Sequence, residues 1–286
     1  MKTRTLSPRL RSAALSVILA AIVLAVWQLA TLPKARSLPP GVSAQYAELM
    51  GMKGADSPAQ TGFPTPAQVA RSFARQLRDP FYDHGPNDKG IGLQLGYSLA
   101  RVAMGFGLAV LVALPLGFLI GLFPVLRAAL DPFIQVLKPI SPLAWMPIAL
   151  YTLKDANVSA VFVIFICSVW PMLINTAFGV AGVRREWVQV ARTLQVAPMR
   201  KAVLVILPAA APTILTGMRI SMGIAWLVIV AAEMLVGGTG IGYFVWNEWN
   251  NLALPAMLFA IALIGLVGMA LDLMFARLQR AMTYAE

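Results

Sequence analysis

The sequence is poor in the groups from which catalytic and metal sites are built. Its 286 residues include one cysteine, Cys167, and one histidine, His84. A single cysteine excludes a disulfide within the chain. One cysteine and one histidine are also too few ligands for the usual zinc sites formed by a single chain. The phosphate-binding GxxxxGK[ST] motif and the HExxH and GxSxG motifs are also absent. We therefore expect a non-catalytic chain that holds no cofactor and cannot hydrolyse ATP by itself.

Charge is also scarce. Only 12% of the residues are charged, about half the share of a typical soluble domain, and 59% are hydrophobic. The net charge of +11 comes largely from lysines and arginines near the N-terminus, in residues 184–201 and near the C-terminus. Basic residues in short loops mark the cytoplasmic side of membrane proteins. Because no soluble basic domain is present, we expect contact with membrane lipid and none with nucleic acid.

Apolar runs of about 20 residues predict six membrane-spanning helices. Five of them cover residues 12–32, 95–123, 158–183, 212–236 and 252–275. The sixth, residues 130–152, contains four prolines: Pro132, Pro139, Pro142 and Pro147. Because such breaks require protein or a water-filled cavity around them, this segment either lines a pathway or is a kinked core helix. Six spans with basic inner loops place both termini in the cytoplasm.

The first apolar run has two interpretations, a retained helix or a cleaved signal peptide. Its apolar core, residues 13–30, is longer than the usual 7–15 residues of a signal peptide, which favours a retained helix.

Residues 33–93 form the one long polar segment, which we expect to face the outside. Thr65 and Gln68 have the spacing of a helix-capping box. Val69, Phe73 and Leu77 then repeat every four residues, opposite three arginines. This pattern predicts an amphipathic helix over residues 66–79. The helix either lies on the outer membrane surface or packs against the protein's own outer face.

A charged stretch, residues 184–208, separates two apolar runs and must protrude from the membrane. One stripe of apolar side chains follows helical spacing: Trp187, Val190, Ala191 and Leu194. Pro198 interrupts this pattern, and a second short helix is expected over residues 199–207, ending at Pro208. A basic, amphipathic protrusion of this kind is suited to contact another protein.

This stretch resembles the EAA loop of ABC importer permeases, E-A-A-x3-G-x9-I-x-L-P. The spacing fits without a gap, and the consensus positions are occupied by Gln189, Val190, Ala191, Gln195, Val205, Leu207 and Pro208. Gln189 lacks the acidic charge of the consensus, so we expect docking through shape and apolar packing. Gln195 replaces a glycine that tolerates turns, so we expect the bend to shift to residues 196–198.

Residues 63–273 as a whole resemble the nitrate permease branch of the nitrate–taurine–sulfonate–bicarbonate group. Four segments carry the resemblance: residues 79–106, 131–150, 161–176 and 214–250. It implies an all-α, six-helix permease of the type I importer kind, with residues 1–286 forming one transmembrane domain in the bacterial inner membrane. The expected substrate is nitrate, with nitrite and cyanate as related anions. Taurine, alkanesulfonate or bicarbonate are alternatives, as is a stand-alone ion-coupled carrier.

The resemblance also implies partners and site residues. The partners are a second permease subunit, in an expected homodimer, two cytoplasmic ATPase subunits that bind ATP and magnesium, and a periplasmic or lipid-anchored solute-binding protein. Contact with the ATPase is assigned to Trp187, Gln189, Val190, Ala191, Arg192, Leu194, Gln195, Arg200, Leu207 and Pro208.

Candidate pathway residues are polar-capable side chains within spans: Arg219, Trp145, Trp170, Asn175, Trp226 and Glu233. Arg219 either attracts an anion or forms a structural bond to carbonyls or phospholipid. The tryptophans and Asn175 either contact substrate or pack in the core. Glu233 lies about 21 Å beyond Arg219 along one helix, so the two cannot pair. We expect Glu233 and Asp272 to form helix–helix or loop contacts.

Overall fold

A computed structural model describes residues 8–31, 63–85 and 88–282, and within them the chain is all-α. A short π-helical segment, Ala202–Ile206, interrupts the series of α-helices. The described α-helices are α1 (Pro8–Ala30), α2 (Pro66–Gln76), α3 (Ile91–Leu122), α4 (Pro124–Leu137), α5 (Pro142–Leu153), α6 (Ala156–Ala181), α7 (Arg185–Thr193), α8 (Pro198–Lys201), α9 (Leu207–Val236), α10 (Ile241–Asn250) and α11 (Leu254–Met282).

Four helices in the described part are long and apolar enough to cross a membrane: α3, α6, the continuous helix Pro198–Val236, and α11. Helices α4 and α5 are bent by 92° relative to each other and together form a broken span or a re-entrant loop. This confirms the irregularity predicted for residues 130–152. The break follows from proline placement, because Pro142 begins α5 after a turn at residues 138–141.

The predicted first span corresponds to α1, whose apolar part is Ala14–Ala30. At 1.5 Å per residue this part is about 25 Å long, slightly shorter than a typical hydrocarbon core. The predicted end of this span at residue 32, and the part of the predicted polar segment from residue 33 to 62, lie outside the described residues.

The centre of the bundle is α6, which packs against α3 on one side and α9 on the other. Small residues of α3 allow the first contact. A Cβ atom added to Gly105 would lie 2.7 Å from Ile164, and one added to Gly117 would lie 2.7 Å from Thr176. Glycine at both positions therefore lets the two backbones approach closely, as at many interfaces between membrane helices. Helix α11 packs against α9.

The helix predicted over residues 199–207 does not end at Pro208, and this expectation was wrong. Helix α8, the π-helical segment and α9 form one continuous helix, Pro198–Val236. Pro208 lies in the first turn of α9, directly after the π turn. A proline ring clashes with the carbonyl group four residues earlier in a regular α-helix. The wider π turn is one way to accommodate that ring without ending the helix.

Helix α2 has the predicted capping box but ends at Gln76, three residues early. The Thr65 hydroxyl accepts a hydrogen bond from the Gln68 amide at 3.2 Å, and the Thr65 amide donates to Gln68 Oε1 at 2.9 Å. The apolar face of α2 packs against the protein itself, since the Phe73 ring meets Phe259 of α11 edge to face at 4.6 Å. This contact supports packing against the protein itself over the membrane-surface arrangement.

Candidate functional site

Helix α7 presents an apolar surface to the outside of the bundle. Trp187, Val190 and Leu194 remain 46%, 58% and 70% exposed. Ala191, the fourth member of the predicted stripe, is buried and lies on the side of α7 that faces the π-helical segment. Three large apolar side chains left exposed on one short helix form a surface suited to a protein partner. Ala191 instead holds α7 against its own chain.

The turn after α7 has the geometry of a Schellman motif. The Val196 amide donates to the Ala191 carbonyl at 3.0 Å, and the Gln195 amide donates to the Arg192 carbonyl at 2.9 Å. These two bonds require a left-handed residue at the position after the C-cap, and Gln195 has φ of 50°. The expected shift of the bend to residues 196–198 was therefore wrong. Gln195 adopts the conformation that a glycine would adopt more easily.

We expect Gln195→Gly to stabilise the loop by about 1 kcal/mol, because it removes the steric cost of a left-handed side-chain-bearing residue. The matched control is Gln189→Gly, which places the same change inside α7 and should destabilise by about 1 kcal/mol. Protection of the loop amides from hydrogen exchange measures both changes. If both variants changed the protection of the loop amides in the same direction, the left-handed conformation assigned to Gln195 would be contradicted.

The remaining predicted contact residues surround the α7 surface. Gln189 and Arg192 are exposed on α7, and Arg200 is exposed on α8. Leu207 and Pro208 are exposed at the beginning of α9. The loop thus displays basic and apolar groups side by side at one end of the bundle, which we call the α7 end.

At the opposite end, the buried carboxylate of Glu233 joins three helices. Ser98 Oγ lies 2.8 Å from both carboxylate oxygens, and Arg101 Nη1 donates to Oε1 at 2.7 Å. The Gly242 amide donates to Oε2 at 3.0 Å. The Glu233 side chain is only 2% exposed. Burial of an ion pair is tolerated here because hydrogen bonds satisfy the carboxylate on several sides.

Arg101 extends this cluster to α6 and to the turn before α10. Its Nε and Nη2 atoms donate to Asn157 Oδ1 at 3.0 and 2.6 Å, and Nη1 also donates to the Thr239 carbonyl at 2.6 Å. A Cβ atom at Gly240 would overlap the Glu233 carboxylate, and Gly240 has φ of 156°. Sequence reasoning missed Arg101. An arginine ten residues into an apolar helix is a signal that a buried partner is needed.

Arg219 pairs with Asp272 of α11 through two parallel hydrogen bonds, Nε to Oδ1 at 2.5 Å and Nη2 to Oδ2 at 2.6 Å. The expected helix contacts of Glu233 and Asp272 are thus confirmed. The partner of Arg219 is a carboxylate, and neither of the two roles weighed for Arg219 included this pair. Trp226 is buried, and its indole donates to the Ile264 carbonyl at 3.0 Å. Both side chains join α9 to α11.

The other pathway candidates are distributed over α5 and α6. The Trp145 ring meets Phe162 edge to face at 6.4 Å, and Trp170 is half-buried against the core. Asn175 donates from Nδ2 to the Pro171 carbonyl at 2.8 Å and lines a cleft between α4 and α6. The structure does not bring the six candidates together at one place. No group of three or more His, Cys, Asp or Glu residues in the described part could hold a metal ion.

Comparison with known proteins agrees with this architecture. Residues 113–284 match the family described as the binding-protein-dependent transport system inner membrane component. The chain is 44% identical to the nitrate import permease protein NrtB of Synechocystis sp., over 79% of the chain and 82% of that protein. It is 45% identical to the bicarbonate transport system permease protein CmpB of Synechococcus elongatus, over 70% of the chain and 73% of that protein.

Among solved structures, the fold is similar to a chain of the inward-facing MetNI methionine ABC transporter. The TM-score is 0.60 at 14% sequence identity, with 68% of this chain and 96% of that chain covered. At this identity the likeness concerns the fold alone.

Proposed function

The chain belongs to the family of binding-protein-dependent transport system inner membrane components, and we propose that it carries nitrate into the cytoplasm as the membrane subunit of an ATP-driven importer. Members of this family are multi-pass permease subunits without catalytic activity, and ATP is hydrolysed by partner subunits. The observation that supports nitrate as the substrate is the 44% identity to a nitrate permease over 79% of the chain. Two further nitrate permeases are 42–43% identical over 71–72% of the chain.

Bicarbonate is the second candidate substrate, because the bicarbonate permeases are 44–45% identical over 70–71% of the chain. The nitrate permease of Synechocystis matches a longer part of the chain, which favours nitrate. Both substrates are small oxyanions with one negative charge, so the membrane path for either requires similar chemistry.

The exposed apolar surface of α7 supports docking of the ATPase. A helix that sits in a groove of an ATPase subunit can transmit closure of the ATPase subunits to the permease as a rigid-body movement. Trp187, Val190 and Leu194 would fill the groove, since they are the large exposed apolar side chains of α7 and its C-cap. Arg192 and Arg200 would flank it, with Gln189, Gln195, Leu207 and Pro208 at the edges. Ala191 would support α7 from beneath.

The assembly has further parts that follow from this role. A solute-binding protein would deliver the anion on the outer side, and a second copy of this permease would complete the path as a homodimer. The α7 end would face the cytoplasm together with both termini. This orientation agrees with the lysines and arginines in the range 184–201, because basic loops mark the cytoplasmic side. Residues 1–286 would form one transmembrane domain in the bacterial inner membrane, with residues 33–93 mainly on the outer side.

Competition for uptake tests the substrate. The permease is reconstituted in proteoliposomes with its ATPase and its solute-binding protein, and ATP-driven uptake of nitrogen-15 nitrate is measured. We expect excess unlabelled nitrate to suppress uptake, and hydrogencarbonate or taurine to suppress it far less. Uptake of labelled hydrogencarbonate without uptake of nitrate would assign the chain to the second candidate substrate.

A further inference from the structure

Helix α4, the first member of the bent pair α4 and α5, carries a polar stripe. Its members are spaced by four, four and three residues and therefore lie on one helix face: Arg127, Asp131, Gln135 and Lys138. All four side chains are exposed within this chain. Val125, Phe133 and Val136 lie on other sides of α4 and are 82%, 64% and 68% exposed. The helix is thus amphipathic although it continues from a long apolar span.

The polar stripe borders a cleft of about 460 Å³ between α4 and α6. On the α6 side the cleft is lined by Asn175 together with apolar side chains such as Ile174 and Phe178. Because Phe178 is one turn from the end of α6 at Ala181, the cleft lies at the α7 end of the bundle. A mixed polar and apolar lining of this kind is typical of sites for small ligands.

The charges in the cleft do not cancel. Arg127 and Lys138 contribute two cations, and among the described residues neither forms an ion pair. Asp131 contributes one carboxylate, which accepts a hydrogen bond from Gln135 Nε2 at 2.6 Å. The stripe therefore has a formal charge of +1. A cleft with apolar walls and one sign of excess charge raises the local concentration of counter-ions.

We propose that this cleft binds a small oxyanion at the inner end of the transport path, a step that rests on the proposed import of nitrate. Arg127 and Lys138 attract the anion, and Asn175 has a second N–H besides the one donated to the Pro171 carbonyl. A guanidinium group donates two hydrogen bonds to a planar oxyanion with good geometry. Arg219 is less suited to this role because Asp272 already neutralises it.

The competing explanation is that the two cations reach phospholipid headgroups, as lysine and arginine often do near helix ends. Two observations favour the anion. The stripe includes Asp131 and Gln135, which headgroup phosphates would not select. The four side chains also line a cleft between two helices of the same chain.

Site-directed labelling tests the proposal. The single native cysteine is removed by Cys167→Ser, and one cysteine is introduced by Gln135→Cys in the cleft or by Val136→Cys on the exposed apolar side of α4. The assembled complex is treated in proteoliposomes with anionic and cationic methanethiosulfonates. We expect the anionic reagent to label position 135 faster than the cationic reagent by on the order of tenfold. Nitrate should slow labelling at position 135 and leave position 136 unchanged.

Removal of the two positive charges from the cleft is the second part of the test. Arg127→Gln with Lys138→Gln should abolish the preference for the anionic reagent and the protection by nitrate, whereas Lys154→Gln, outside the cleft, should abolish neither. Protection by hydrogencarbonate but not by nitrate would overturn the proposed substrate and support an anion site in the cleft. Labelling at position 135 that no anion slows would overturn the anion site, even if the wild-type complex imports nitrate. That result would assign the cations to lipid headgroups.

Discussion

Replacing Glu233 with alanine should destabilise the permease by about 3–5 kcal/mol, because it leaves the buried guanidinium group of Arg101 without its charged partner. The carboxylate connects α9 to α3 through Ser98 and Arg101, and to the first turn of α10 through Gly242. The expected result is a clear fall in the thermal unfolding midpoint of the purified protein. Glu233→Gln keeps one acceptor oxygen and should show a smaller loss.

Two comparisons separate this effect from a general loss of packing. The double variant Arg101→Met with Glu233→Leu removes both charges and should recover part of the stability, since no buried charge then remains unpaired. Asp272→Asn changes the half-exposed pair with Arg219 and should lower the midpoint much less. A midpoint for Glu233→Ala equal to that of the wild type would show that the cluster contributes little to stability.

The variant Val190→Glu places a carboxylate on the exposed face of α7 and should weaken binding of the ATPase to the permease. Val190 is 58% exposed between Trp187 and Leu194, so the new charge would enter the apolar contact. Loss of one central contact of this kind costs about 2 kcal/mol, or roughly a 30-fold weaker association. ATP-driven uptake and the amount of ATPase that co-purifies with the permease should both fall. The thermal stability of the permease alone should stay unchanged.

The control for this variant is Arg185→Glu, which adds a carboxylate on the same helix about 140° away around its axis. This variant should retain the ATPase. The opposite pattern, with retention in Val190→Glu and loss in Arg185→Glu, would place the contact on the other side of α7. Ala191 is a poor position for such a test because its side chain is buried, and a charge there would disturb the loop itself.

Local periodicity predicted the elements that depend on neighbouring residues. The spacing of Trp187, Val190 and Leu194 predicted α7, and the spacing of Thr65 and Gln68 predicted the cap of α2. Both features rest on contacts within two helical turns, and such contacts can be read from a single sequence. The long apolar runs likewise predicted α3, α6, α9 and α11.

Features that depend on distant contacts or small energy differences were not predicted. Arg101 and Glu233 are 132 residues apart, and nothing local joins them. The left-handed conformation of Gln195 costs about 1–2 kcal/mol, which the two hydrogen bonds of the Schellman motif offset. Continuity of the helix through Pro208 depends on the π turn, which has no clear sequence signal. The polar stripe on α4 does have a sequence signal, the four-residue spacing of its members. The cleft beside the stripe forms only when α6 packs next to α4.

The most direct test of the account is nitrate uptake by the reconstituted complex under two driving forces. Proteoliposomes containing the permease, the ATPase and the solute-binding protein receive either ATP or an imposed ion gradient. We predict uptake with ATP, none with the gradient alone, and loss of ATP-driven uptake in Val190→Glu. Uptake sustained by the imposed ion gradient without ATP would contradict this expectation and would make the chain an ion-coupled carrier.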